Sequence, residues 1–121
     1  MTVMLQCISH TPLTGIADPS PEVAAEIHGQ VCAAKEAVEA FGPDLVILFA
    51  PDHYNGFFYD LMPSFCVGLA ARAIGDFGTQ AGDLAVDTPR AAHCAESLLE
   101  QGIDVAVSYG MQVDHGFSQP L

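Results

Sequence analysis

The sequence predicts an α/β domain: a mainly parallel central sheet flanked by helices, with its active site at the carboxyl ends of the strands. Three observations carry this. Short apolar runs of strand length are interleaved with segments whose apolar residues recur every three or four positions. One of the runs, Asp44 to Pro51, is apolar on both faces, as strands covered from both sides are. Histidines follow the runs rather than lying inside them.

The first run, Thr2 to Ser9, is apolar and partly β-branched and fits a buried strand. It ends at His10 and passes into Pro12, Gly15, Pro19 and Pro21, which are loop signals. Val23, Ala24, Ile27, Val31, Ala34, Val38 and Phe41 then mark one face of an amphipathic helix, with Glu22, Glu26, Gln30, Lys35, Glu36 and Glu39 between them. Ser20 is its expected N-cap, Pro21 its first residue and Gly42-Pro43 its stop. Asp44 to Pro51 reads as a second buried strand. The aromatic middle of the chain yields only loop and a short strand around Phe65 to Gly68. A second helix is expected from Thr88, as cap, through Glu100 with Gly102 as terminator, and a third buried strand from Asp104 to Gly110. No internal repeat, low-complexity segment or linker interrupts this order, so residues 1–121 are expected to form a single domain.

Composition narrows the function. Fifteen Asp and Glu against three Lys and Arg give a formal net charge of -12. A phosphate backbone or an anionic membrane surface would be repelled, and Lys35, Arg72 and Arg90 are too scattered to make a basic patch. Cys7, Cys32, Cys66 and Cys94 form no C-x-x-C pair and read as buried thiols of a reducing compartment. The N-terminus lacks the pattern of a signal peptide, and no apolar run approaches the ~20 residues of a membrane span. A cytoplasmic protein is expected.

The histidines point to chemistry. His10 follows the first run, His53 the second, and His115 lies a few residues past the third. Parallel strands deliver their following loops to one edge, so three histidines at corresponding positions are expected to converge there, with the apolar strand before His53 serving as its rigid post. Imidazole suits iron, zinc, copper or nickel, and two histidines with one carboxylate leave positions open for oxygen chemistry at iron(II). Each histidine alone would more often be a loop residue or a satisfied core group. His28 and His93 are read that way, as structural or solvent-facing helix residues. Asp52 or Asp114 could support a ligating imidazole, but Asp52, Asn55, Asp60 and Asp114 could equally serve strand-end solvation or a turn made by Asn55-Gly56. Tyr54, Phe57, Phe58 and Tyr59 are divided between a wall for an aromatic substrate and core.

The segments CISHTPL, LFAPDHYNGFFYDLMPSFCVG, AIGDFG and SYGMQVDHGFSQPL closely resemble the class III, or LigB-type, extradiol ring-cleaving dioxygenases, and the likeness runs from Met1 to Leu121. The resemblance implies a non-haem Fe(II) cofactor with His10 and His53 as metal ligands, and His115 of the VDHG motif as the proton donor. It implies cleavage of a catechol beside its hydroxyls by dioxygen in aromatic catabolism. The expected substrate is 2,3-dihydroxyphenylpropionate or 2,3-dihydroxycinnamate, acted on by a homo-oligomer. Members of the family are longer and take an iron-binding glutamate and a second catalytic histidine from a later part, so this chain is expected to be the N-terminal part of such an enzyme. Two alternatives stay open: a catalytically incomplete or binding-only member of the superfamily, and a metal-dependent hydrolase using the same histidines with zinc.

Overall fold

A computed structural model describes residues 2–13, 15–53 and 56–121. The chain divides into two units, residues 1–49 and 50–121. The first is dominated by helix α1, Pro21–Phe41. Its ends fall where local chemistry puts them: Ser20 Oγ accepts from the Val23 N–H, Pro21 occupies the first turn, and Gly42 adopts the left-handed conformation (φ 58°) while its N–H reaches the Val38 carbonyl. The apolar face is present but only partly covered; Ala24, Ala34 and Val38 are half-buried, and Val23, Ile27 and Val31 remain about half exposed.

The expected strands at Thr2 to Ser9 and Asp44 to Pro51 form no ladder among the described residues. Val3, Leu5, Val46, Ile47 and Phe49 are exposed. An apolar run becomes a strand only when a second strand takes up its N–H and C=O groups, and propensity supplies no such partner. The post expected to present His53 is therefore not a sheet strand.

The second unit holds the sheets. β1 (Cys66–Gly68) pairs in parallel with β4 (Ala106–Ser108), while β2 (Ala71–Ile74) lies between β3 (Ala81–Leu84), antiparallel to it, and β5 (Met111–Val113), parallel to it. Only two residues separate β1 from β2 and β4 from β5, so these are two bent strands running side by side. The Leu69 N–H donates to Ser108 O and the Met111 N–H to Ala70 O across the bend. The architecture is thus mixed α/β, with small sheets in which a parallel pair carries an antiparallel edge strand, β3.

Helix α2 spans Thr88–Glu100 as expected, but its N-cap is Asp87, whose carboxylate accepts from the Arg90 N–H. Thr88 instead donates its hydroxyl to Leu69 O, tying the helix start to the bend. α2 packs on β1, and Leu69, Ala73, Ala95, Val105 and Val113 form the buried core. Each larger aliphatic chain so buried contributes about 1.5–3 kcal/mol. The four cysteines are free but not buried as expected: Cys7 and Cys94 are exposed, Cys32 and Cys66 half-buried. Among the described residues no helix is long and apolar enough to cross a membrane.

Candidate active site

The register of β2 with β5 decides what meets at the sheet edge. Ala73 pairs with Val113, and the two strands are parallel, so the residues just past them emerge together. Beyond β5 come Asp114 and the one-turn helix α3, His115–Ser118; beyond β2 come Gly75 and the 3-10 turn Asp76–Gly78. The His115 Nδ1–H donates to Asp76 Oδ2 at 2.6 Å.

Asp114 is 2% exposed, the most deeply buried polar residue described. Both its oxygens are engaged: Oδ1 accepts from the Gly116 N–H at 2.9 Å, capping α3, and Oδ2 accepts from His53 Nδ1 at 2.9 Å. A carboxylate has no proton to give, so His53 carries its hydrogen on Nδ1 and keeps Nε2 as the atom suited to a metal. The imidazoles of His53 and His115 stack in parallel, with centroids 4.8 Å apart and planes 3° apart. His53 is 38% exposed at its side chain and His115 only 9%. Each ring of the stack is thus fixed by its own carboxylate. Asp76, Asp114 and His115 also bring ligand atoms within 4.8 Å of one another, but those bonds to the two imidazoles make the carboxylates supports of the rings before ligands in their own right.

Of the expected site residues, His53 and His115 are brought together. His10 belongs to the first unit, at intermediate exposure. Of the two candidate supporting carboxylates, Asp114 holds the imidazole. Asp52 makes a turn instead, its oxygens accepting from the Gly56 and Phe57 N–H groups at 2.8 and 3.1 Å. Asp60, Phe58 and Tyr59 are exposed and Phe57 half-buried; Tyr54 and Asn55 lie outside the described residues. His28 and His93 are exposed on α1 and α2, and His28 faces Cys32 one turn on, at 3.5 Å. A depression of about 560 Å³ in the second unit is lined by Leu69, Arg72, Leu84 and Met111, and neither histidine of the stack borders it.

Sequence reasoning missed Asp76. The signal it offered was a single carboxylate between Gly75 and Phe77-Gly78, a costly residue in an apolar stretch. Near β1, burial pushes the Cys66 thiol above its ordinary value; the negative charge of Asp52 adds to this and a backbone hydrogen bond from Ser108 opposes it.

A family model described as the catalytic LigB subunit of aromatic ring-opening dioxygenase matches residues 4–121. Three curated proteins of Escherichia coli, from strains O139:H28, SMS-3-5 and K12 / DH10B, are similar to this chain. Each is named 2,3-dihydroxyphenylpropionate/2,3-dihydroxicinnamic acid 1,2-dioxygenase and is 58% identical over 121 residues. The match covers 100% of this chain and 38% of each relative's length.

Proposed function

This chain belongs to the LigB family of aromatic ring-opening dioxygenases, and from that premise we propose that it is the N-terminal part of an iron(II) extradiol dioxygenase. Its substrate is 2,3-dihydroxyphenylpropionate or the corresponding cinnamate, the compounds named for its E. coli relatives. The observation that carries the proposal is the stacked imidazole pair, each ring held through Nδ1 by a separate carboxylate. One imidazole so held suits a metal ligand, the other a proton donor.

The donor chemistry fits the cofactor. With Nδ1 given to Asp114, His53 would hold iron(II) through Nε2, together with His10. Iron(II), when bound, supplies a Lewis-acidic centre with open positions for the catechol oxygens and dioxygen. Both atoms of dioxygen enter the ring-opened product, so the protein need supply no external electrons and has only protons to move. His115 is the residue to move one. Its Nδ1–H is committed to Asp76, so Nε2 is the atom that would take up a proton released by a substrate hydroxyl and return it to a substrate oxygen. The arginines have other duties, Arg72 pairing with Asp83 and Arg90 with Asp87, both at the surface, and the proposal gives neither to the substrate's propionate. A cytoplasmic homo-oligomer completes the proposal, with free, partly exposed thiols supporting a reducing compartment. The mainly parallel central sheet expected from the sequence is proposed for the longer enzyme, with the apolar runs Thr2 to Ser9 and Asp44 to Pro51 as its further strands.

The test uses the polypeptide encoded by the full reading frame, loaded with iron(II) without air. Adding 2,3-dihydroxyphenylpropionate should consume one dioxygen per substrate and form a yellow ring-opened acid, and chelation should stop it. Replacing the proton donor, His115→Gln, should lower kcat by about 10²–10⁴-fold. No cleavage by the metal-replete protein refutes the proposed activity, and full activity in His115→Gln refutes the proton-donor role.

A further inference from the structure

We propose that the turn Gly75–Thr79 is a device for orienting His115, with Asp76 as a positioning residue that fixes the tautomer of the ring and Phe77 as the edge that fixes its plane. The role of His115 as acid rests on the function proposed above; the orienting contact does not.

Three features of the turn point the same way. Asp76 Oδ2 takes the His115 Nδ1 proton at 2.6 Å, while Asp76 Oδ1 is buried without a hydrogen-bond partner among the described residues. A buried, half-satisfied carboxylate is costly and calls for an explanation. Phe77 is the one described non-glycine residue with positive φ (49°, ψ 30°), a conformation that L residues avoid. That conformation sets its ring edge-on to His115, with centroids 5.0 Å apart and an interplanar angle of 81°. Gly75, at φ 75°, could not be another residue, because a Cβ there would lie 2.6 Å from that of Ala81. Two unfavourable choices, a carboxylate with one oxygen orphaned and a left-handed phenylalanine, therefore sit side by side, and each residue touches the same imidazole. Local strain of this kind persists where the surroundings over-determine it and gathers at functional sites.

The turn is also tied to the helix that bears His115. The Thr79 hydroxyl donates to Asp76 O at 2.8 Å, and Ser118 Oγ lies 2.9 Å from Thr79 Oγ1 and 3.0 Å from Asp114 O. Carboxylate and imidazole are thus held by one short network. With Nδ1 protonated and directed at Asp76, the neutral ring has its lone pair on Nε2, and ring rotation would break both the Asp76 bond and the stack on His53.

The experiment is nitrogen-15 NMR of the histidine-labelled polypeptide encoded by the full reading frame, without metal, which makes the readout independent of iron loading and turnover. Wild type should show His115 as a single Nδ1–H tautomer with a slowly exchanging ring proton. Asp76→Ala should lose that proton signal and shift the ring toward the Nε2–H form, leaving His53 resonances in place. Where Asp76→Ala fails to give a folded amide spectrum, the isosteric Asp76→Asn should still move the Nδ1–H signal, because the charge-assisted bond is gone. An Nε2–H wild-type ring, or a His115 signal unchanged in the folded variant, overturns the proposal. A ring-cleavage assay that fails while these shifts occur would refute the proposed activity alone.

Discussion

Replacing Asp114 by alanine removes two bonds at once and separates the packing role of the residue from its electrostatic one. The Gly116 N–H would lose its acceptor inside a buried turn, which costs about 1–3 kcal/mol. His53 would lose a charge-assisted bond of about 1.5–3 kcal/mol, taken at the low end because its ring is 38% exposed. Together these predict a destabilisation of about 3 kcal/mol. Asp114→Asn keeps an oxygen for the Gly116 N–H but turns its amide NH2 toward His53 Nδ1, which accepts only if the ring moves its proton to Nε2. It should cost about 1–2 kcal/mol, less than the alanine, and switch the His53 tautomer. Urea unfolding followed by far-ultraviolet circular dichroism measures both. The freed His53 ring should also weaken iron(II) binding by the full reading-frame protein about 10–100-fold, the ordinary effect of losing a partner behind a ligating histidine. An alanine variant within about 0.5 kcal/mol of wild type, the scatter of inconsequential surface changes, would show that the buried carboxylate does not hold the site and refute the reasoning.

Two further outcomes follow from the same geometry. Gly116→Ala would set a Cβ 3.1 Å from Asp114 Oδ1, 3.1 Å from His53 Cε1 and 3.3 Å from Pro51 O. Overpacking of about 1–3 kcal/mol outweighs the gain of up to about 1 kcal/mol from replacing a helical glycine, so the melting temperature should fall and the His53 ring resonances should move. Cys66 should alkylate more slowly at mildly alkaline pH than exposed Cys7 and Cys94, read by mass spectrometry of the labelled peptides. Its folded thiol is raised, so the unfolded chain gives up the proton first. Its contribution to stability is therefore whole below the ordinary thiol range and is lost as pH rises through it; unfolding titrations of wild type and Cys66→Ala should diverge only there.

What could be read in the sequence was local. Helix α1 begins and ends where Ser20, Pro21 and Gly42 dictate, because a helix bonds within four residues of itself. The same holds for α2, except that Asp87 outcompetes Thr88 as cap once Thr88 finds the Leu69 carbonyl. His10, His53 and His115 stood out because their residue type and the motifs around them are chemical signals that need no fold to be recognised. By contrast, apolarity alone did not make the runs at 2–9 and 44–51 into strands, since a ladder partner is not a property of the strand's own residues.

The sequence by itself determined the helices, the charge balance and the identity of the imidazoles. Tertiary structure alone decided which carboxylate serves which ring: Asp114 reaches His53 across 61 positions of chain, and Asp76 reaches His115 across 39. The second of these pairings follows from the parallel register of β2 on β5, which carries Asp76 and His115 to one edge. A register is a relation between distant segments, and nothing within either segment specifies it.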